Sequence, residues 1–508
     1  MTFTTLAIAV ALAGQEPRGL APEPRPAATV RLDQPGQQLR SILDLFQGSR
    51  AAHPAAALAA WKRASREPGR LGKPLEALIA AFNPSMVEEL RLLDGSELAV
   101  WFPPEIGGVE WAGAIPHDDG TFAALATSFV LSGGASVGLL DGLAVDRLGP
   151  PGSPLMTRTP LGLIVSGSSE ALDRARRRPI RSPIQEDAAG PGLRFDVSIG
   201  ALDGSKPVLI RRAAAAMNTL RGSIEGRAAV VGPTLKASLS LSSSTEFTTR
   251  RPELDPSWLD WLPVDRSVMA FAMAVDPSPT SWEEIFRVAD AVEKADPDRA
   301  NLAPARLRLD LLARTMGILL EAEILPHLSG VSGWIGGDGS RIDRAFVGLH
   351  LNGEESARRI FEKVRPVATS GPPRANPKGP VRSLGRVEGQ ELILGRFGTL
   401  IVVSWGEEAL ESSLRARDLA SRPARTMLLG DKGTARAALV AAFWPGRMPG
   451  LVENSGPLAL GFAQTSPITW RGDWETGRIL RLQGNWRGLD AGVKRFLELI
   501  PLDLPPDR

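Results

Sequence analysis

The sequence predicts an α+β fold with two related lobes of largely antiparallel sheet, helices on one face, and an additional helical segment at the N-terminus. Three observations predict it. A ten-residue phrase occurs twice, as L-I-V-S-G-S-S-E-A-L at 163–172 and as I-V-V-S-W-G-E-E-A-L at 401–410, and an internal repeat fixes architecture before any local reading does. Two long segments, 222–241 and 468–486, alternate apolar and polar residues on both sides of a Gly-Pro or Thr-Gly turn, which is the hairpin pattern. Between the strand-like runs lie Ala- and Leu-rich segments with helical spacing, so strands and helices are interleaved.

Taken in chain order, residues 1–13 read as a signal peptide. An apolar run from Leu6 ends in Ala11-Leu12-Ala13, a small-x-small site that predicts cleavage after Ala13. Residues 14–35, rich in proline, read as a linker. The stretch 36–92 reads as helical, and 93–241 reads as lobe 1. Within lobe 1 the spacing predicts strands over 94–102 and 111–115, a helix over 122–130, and then the first copy of the phrase. A basic run, Arg174, Arg176, Arg177, Arg178 and Arg181, ends the helix after it, where cations suit the helix dipole.

Residues 242–256 read as a second linker, and 257–508 as lobe 2. Here D-R-S-V-M-A-F-A-M-A-V (265–275) parallels D-G-S-E-L-A-V-W-F (94–102). On that alignment lobe 2 carries a helical insert, 277–328, between its first and second strands. It contains 282–295 and 305–323, both with helical periodicity. A Gly-rich turn at 333–340 precedes a strand at 342–349 and a helix over 354–365. A Pro-rich insert follows at 370–380. In the second phrase Ser404 and Glu407 have capping-box spacing; in the first, Ser166 and Ser169 lack the acid, which predicts a weaker cap. The alignment predicts superposition of 94–241 on 265–486 with Ser166 over Ser404 and Gly113 over Gly348.

Three segments carry a resemblance: Leu262-Pro263-Val264-Asp265, Leu328-Ser329-Gly330, and Val403-Ser404 with Glu408-Ala409-Leu410. With them the chain resembles an uncharacterised family of exported bacterial proteins, a domain of unknown function built from repeated α+β cassettes. The likeness covers 258–420 well and 90–180 more loosely. It implies an α+β fold and a cell-envelope location, and it implies no activity. The insert at 370–380 and the shorter first copy depart from the pattern.

Composition narrows the chemistry. The 508 residues include no Cys and no Tyr, and only four His. Thiol nucleophiles, disulfides, thiolate metal sites and phenolic acids are thereby excluded. The 59 basic residues nearly balance 57 acidic ones, for a net charge of +2, so no nucleic-acid partner is expected. No second apolar run reaches membrane-spanning length, so no transmembrane segment is expected in the mature chain. No cofactor and no metal site is expected either, because His117 and His350 stand near turns without ligand spacing.

One motif has the spacing of a serine nucleophile turn, Gly134-Ala135-Ser136-Val137-Gly138, with His117 as the nearest base. Twelve tryptophans are present, and Trp470, Trp474 and Trp486 alternate with polar residues in one hairpin. Even spacing places them on one sheet face as a candidate ligand surface. The stripe Val493, Phe496, Leu497 and Ile500 of a terminal helix is expected to cover them. The sequence therefore favours an exported, non-enzymatic scaffold or binding protein, in the periplasm or secreted, whose partner is a cell-envelope protein or polymer. The alternatives are a secreted serine hydrolase using Ser136 and a solute-binding protein.

Overall fold

A computed structural model describes residues 26–64, 83–91, 93–101, 110–116, 135–140, 143–147, 154–159, 162–177, 191–198, 212, 215–216, 219, 222–244, 246, 248, 250–296, 302–337, 342–364, 374–376, 379–387, 389–419, 421–430, 437–447 and 465–499. The fold is α+β with antiparallel sheet throughout. It divides into two compact units, Met1–Leu239 with Leu497–Arg508, and Ser240–Phe496.

In the first unit the strands are β1 (Ala28–Asp33), β2 (Glu97–Trp101), β3 (Glu110–Ile115), β4 (Ala135–Leu140), β5 (Leu143–Arg147), β6 (Leu155–Thr159), β7 (Gly162–Ser166), β8 (Gly192–Ser198), β9 (Ser223–Val231) and β10 (Thr234–Ser242). Neighbours run β4-β5-β6-β7-β3-β2-β1-β8-β9, every pair antiparallel, and β10 returns beside β9. The helices are α1 (Pro35–Asp44), α2 (Pro54–Ala64), α3 (Met86–Arg91) and α4 (Ser169–Arg177).

In the second unit the strands are β11 (Ser267–Ala274), β12 (Leu328–Gly337), β13 (Ile342–Leu351), β14 (Arg374–Asn376), β15 (Gly379–Val387), β16 (Gln390–Phe397), β17 (Leu400–Trp405), β18 (Leu439–Phe443), β19 (Ile468–Thr476) and β20 (Ile479–Arg487). Their order is β14-β15-β16-β17-β13-β12-β11-β18-β19-β20. Among the described residues, this is the first order with each number raised by ten. The helices are α5 (Pro279–Lys294), α6 (Ala305–Thr315), α7 (Glu354–Lys363), α8 (Glu407–Asp418), α9 (Pro423–Leu429) and α10 (Leu489–Leu499), with a 3-10 turn at Pro256–Trp261.

The strand order corrects the sequence alignment. β2 occupies the place of β12, and β1 the place of β11, so 94–102 and 265–275 are not counterparts. The linker assigned to 14–35 contains β1, which pairs with both β2 and β8. Among the described residues, helices lie between the first strand and the second in both units: α1, α2 and α3 in one, α5 and α6 in the other. The supposed insert at 277–328 thus corresponds to the N-terminal helical segment. The misalignment arose because buried strands entered from an Asp turn share a composition, whichever position they hold in the sheet.

Register refines the rest. Ser166 stands opposite Ala112 and Ser404 opposite Phe346. Aligning the two serines sets Gly113 against Val347, one residue from the expected Gly348.

Helices lie on both faces of the sheet in each unit, not on one. Successive residues of a strand point to opposite faces. In the second unit Ala270, Ala272, Trp334, Phe346 and Val402 pack under Trp258, Leu259 and Trp261 of the 3-10 turn and Leu410 and Leu414 of α8. On the other face, Ile401 and Leu351 pack with Phe286 of α5, Ala313 of α6, and Ile360 and Phe361 of α7. In the first unit Leu98, Trp111 and Leu163 meet Leu39 of α1 and Val87 of α3, while Ala99, Ala112 and Ile164 meet Ala171, Leu172 and Ala175 of α4. The apolar run L-I-V-V at 400–403 carries this double burial in the sequence, with Leu400, Ile401 and Val402 all buried.

The two strand-to-helix junctions reverse the expected capping. Ser404 is fully buried at the end of β17. The residue preceding α8 is Gly406, at φ 90°, with no side-chain cap. The orphan N–H groups there meet the field of Glu407 and Glu408 in the first turn. In the first unit Ser168 supplies a cap, its Oγ accepting from Ala171 N at 3.1 Å. Helix α6 is shorter than the periodicity over 305–323 predicts. It ends at Thr315 before Gly317, whose φ of 81° suits glycine.

Candidate functional site

The C-terminal hairpin of the second unit pairs Ile468 with Trp486, Trp470 with Gly484, and Trp474 with Leu480. Directly opposed residues share a face. Trp470, Trp474 and Trp486 therefore share one with Ile468, Leu480 and Leu482, and Arg471, Asp473, Gln483 and Arg481 take the other. Glycine is required beside the indoles: a Cβ at Gly484 would stand 2.7 Å from the Trp470 ring, and one at Gly472 2.6 Å from Leu482.

The apolar face continues across two more strands. Phe443, Ala441 and Leu439 of β18 oppose Ile468, Trp470 and Gly472. Met269, Phe271 and Met273 of β11 oppose Phe443, Ala441 and Leu439. No polar or charged residue occupies a register position on this face of β11, β18, β19 and β20. The reverse face of β11 and β18 is core, with Ala270, Ala272, Val440 and Ala442 all buried. The apolar side is only half-buried, and Met269 and Met273 are exposed. All three indoles are half-buried, and Trp486 Nε1 donates to Thr465 Oγ1 at 2.9 Å. Of the stripe expected to cover them, Val493 and Leu497 are buried, Phe496 is half-buried, and Ile500 lies outside the described residues.

At one end of this face is a cavity of about 70 Å³. Met273, Leu439, Trp474 and Leu480 supply its sheet wall, and Ile285 of α5 faces them. Its polar lining is Thr248, Asp276 and Ser281. The buried Asp276 carboxylate is committed to the fold. Its Oδ2 accepts from Thr248 Oγ1 at 2.9 Å, Arg250 N at 3.2 Å and Ser281 Oγ at 3.2 Å, and its Oδ1 accepts from Ser278 N at 3.1 Å. Four donors occupy about the four acceptor positions a carboxylate has. Asp276 thus pins the start of α5, where Ser278 is the N-cap, and the walls left for a ligand are apolar.

A serine–histidine pair lies in the core of the same unit. Ser332 Oγ and His350 Nε2 share a hydrogen bond of 2.8 Å, and the imidazole stacks on Trp258 at 4.4 Å between centroids. Gly330 lets the indole approach, since a Cβ there would overlap its ring. His350 is therefore not a solvated or edge histidine: it is 3% exposed, and Ser332 is fully buried. Burial pushes the imidazole down to about 3, and the Asp255 charge offsets this only in part. A pair this enclosed has no face to offer a substrate, and its chemistry is that of a satisfied core group.

The other sequence candidates stand apart from these sites. Ser136 lies inside β4, opposite Asp146 of β5, and the strand runs on to Leu140. A nucleophile elbow would need a strand-to-helix turn at that point. His117 lies outside the described residues. His53 precedes α2, its Nδ1 accepting from Ala56 N at 3.2 Å. Among the described residues no three His, Asp or Glu groups are placed to hold a metal ion. Arg174 pairs with Glu110, and Arg176 and Arg177 pair with Asp173. What sequence reasoning missed is the contribution of Met269, Phe271, Met273 and Phe443. The signal was present in M-A-F-A-M-A, where small alanines face the core and large residues face away.

No family model matches the chain, and no curated protein matches it. Two solved structures, crystal forms IV and III of TP0453, are similar to it at 9% and 11% identity, with TM-scores of 0.23 and 0.22. Each likeness covers 46% of this chain and 79% of the other. Likeness at this level carries no structural or functional argument.

The depressed His350 value has a consequence for stability. An unfolded histidine titrates near 6.5, so the unfolded chain binds one more proton below that pH. Stability is complete above about pH 6.5 and is lost toward pH 3 at about 1.4 kcal/mol per pH unit from this group. His350→Gln should be less stable at neutral pH but should lose stability less steeply between about pH 6.5 and 5. Urea midpoints across that range measure it; parallel curves would remove the role assigned to His350.

Proposed function

We propose that the chain is an exported, non-enzymatic binding protein of two related lobes, and that its ligand surface is the apolar face of β11, β18, β19 and β20 with the adjoining cavity. The observation that carries this reading is the face itself. It is four strands wide, has no polar register position, and is only half-covered. Contiguous apolar surface of this kind marks interaction sites. The bound group would be apolar, because the one carboxylate lining the cavity already accepts four hydrogen bonds. Trp474 offers a flat ring and Met273 a polarizable, adaptable side chain at the entrance, a combination that suits ligands of varied shape.

Two further observations support parts of the reading. The equal strand orders favour two lobes derived from one ancestral unit. The small-x-small site before Gly14, together with the family resemblance, favours export.

Two measurements test it. An apolar fluorescent dye such as anilinonaphthalene sulfonate should bind saturably and change Trp474 emission, and Met273→Glu or Trp474→Ala should weaken it about tenfold. Equal binding by both variants would remove the site. N-terminal sequencing of the native protein should begin at Gly14; an intact Met1 would overturn export.

A further inference from the structure

Sulfur in this chain is held by nine methionines, because there is no cysteine. Among the described residues the fold sorts them by exposure. Met156 is buried, and Met86, Met316 and Met427 are half-buried against apolar clusters. Met269 and Met273, by contrast, are 37% and 39% exposed. Both belong to β11 and stand four residues apart, so both project from the apolar face. Met273 also lines the cavity, beside Leu439 and Trp474.

We propose that Met269 and Met273 are a peroxide modification site, and that their oxidation to the sulfoxide closes the apolar face to its ligand. The effect on binding rests on the ligand reading given above; the modification itself does not. In the step, a lone pair of the thioether sulfur attacks one oxygen of hydrogen peroxide. The S–O bond forms as the O–O bond breaks. Sulfur gives up two electrons, and the leaving hydroxide takes the proton of the transferred oxygen and departs as water. The product is reversible, since a methionine sulfoxide reductase with a dithiol removes the oxygen again.

Access selects these two sulfurs. A dissolved oxidant reaches exposed side chains before packed ones, and no thiolate competes for it in a chain without cysteine.

Their surroundings give the product its effect. Met269 stands between Phe443 of β18 and Ile335 of β12, and Met273 between Leu439 and Val331 of the same two strands. None of these four side chains can donate a hydrogen bond to a sulfoxide oxygen. At the cavity the hydroxyls of Thr248 and Ser281 already donate to Asp276. Oxidation turns a flexible apolar side chain into a polar one. A ligand seated here would strip water from that group among aliphatic and aromatic neighbours, so affinity falls.

The test treats the full chain with hydrogen peroxide and maps sulfoxide by peptide mass spectrometry. Met269 and Met273 should each gain one oxygen atom several-fold faster than Met156. The oxidised protein should bind anilinonaphthalene sulfonate at least about tenfold more weakly at an unchanged urea midpoint. Treatment with a methionine sulfoxide reductase and dithiothreitol should restore binding. The double variant Met269→Leu, Met273→Leu should show dye binding that peroxide does not alter. Met273→Gln, polar without any oxidant, should bind weakly from the start. Oxidation of Met269 and Met273 no faster than that of Met156 would overturn the modification site. Undiminished binding by the oxidised protein, or binding lost only as the fold is lost, would overturn its effect on the face. Selective oxidation in a parent that binds no dye would remove the ligand reading and leave the modification site in place.

Discussion

Burial of β13 at Phe346 on one face and at Leu351 on the other requires one core above it and another below, and that need places the other elements of the second unit. Phe346 and Leu349 point in opposite directions from one strand. The first requires a lid, which the 3-10 turn with Trp258 and Trp261 and helix α8 supply. The second requires α5 and α7 on the reverse side. Each fully buried large side chain contributes about 1.5–3 kcal/mol, so Trp334, Phe346 and Ile401 together outweigh any surface ion pair here. One polar link crosses this apolar packing: Trp334 Nε1 donates to Ser413 Oγ at 2.8 Å, tying β12 to α8.

The same constraint explains where a site can exist. Strands at the centre have a core against each face, although Val347 of β13 is itself exposed. In β11 and β18 one face is core, while the other, continued by β19 and β20, is only half-buried. What remains is a half-covered surface whose composition is still that of an interior. Asp276 belongs to the scaffold of this surface. It ties Thr248 and Arg250 to the start of α5, and so fixes Ile285 opposite Trp474.

Much of this was legible in the sequence, and the exceptions have physical causes. Both hairpins were readable because period-2 alternation about a turn has few other solutions, and the even spacing of Trp470 and Trp474 set their common face. Double burial was written in L-I-V-V, yet it was read as one-sided because neighbouring helices could not be assigned to faces without topology. The capping box at Ser404 failed because the helix begins at Glu407 after Gly406, so Ser404 stands two residues before the cap position and Glu407 is the first helical residue rather than the third. The first-strand alignment failed because composition identifies a buried strand but not its place in the sheet. Met269 and Met273 were missed as surface, since alternating Met and Ala looks apolar throughout.

Amide hydrogen exchange on the intact protein tests the central claim most directly, namely that strands with a core against each face give way to strands whose apolar face is only half-covered. Opening energies range from near zero at exposed elements to the global value in the core. The account predicts slowest exchange at Val331–Ile335, Phe346–Leu349 and Ile401–Ser404, and faster exchange across 479–487 and in α6. Exchange in β19 and β20 as slow as in β13, or slower, would contradict it.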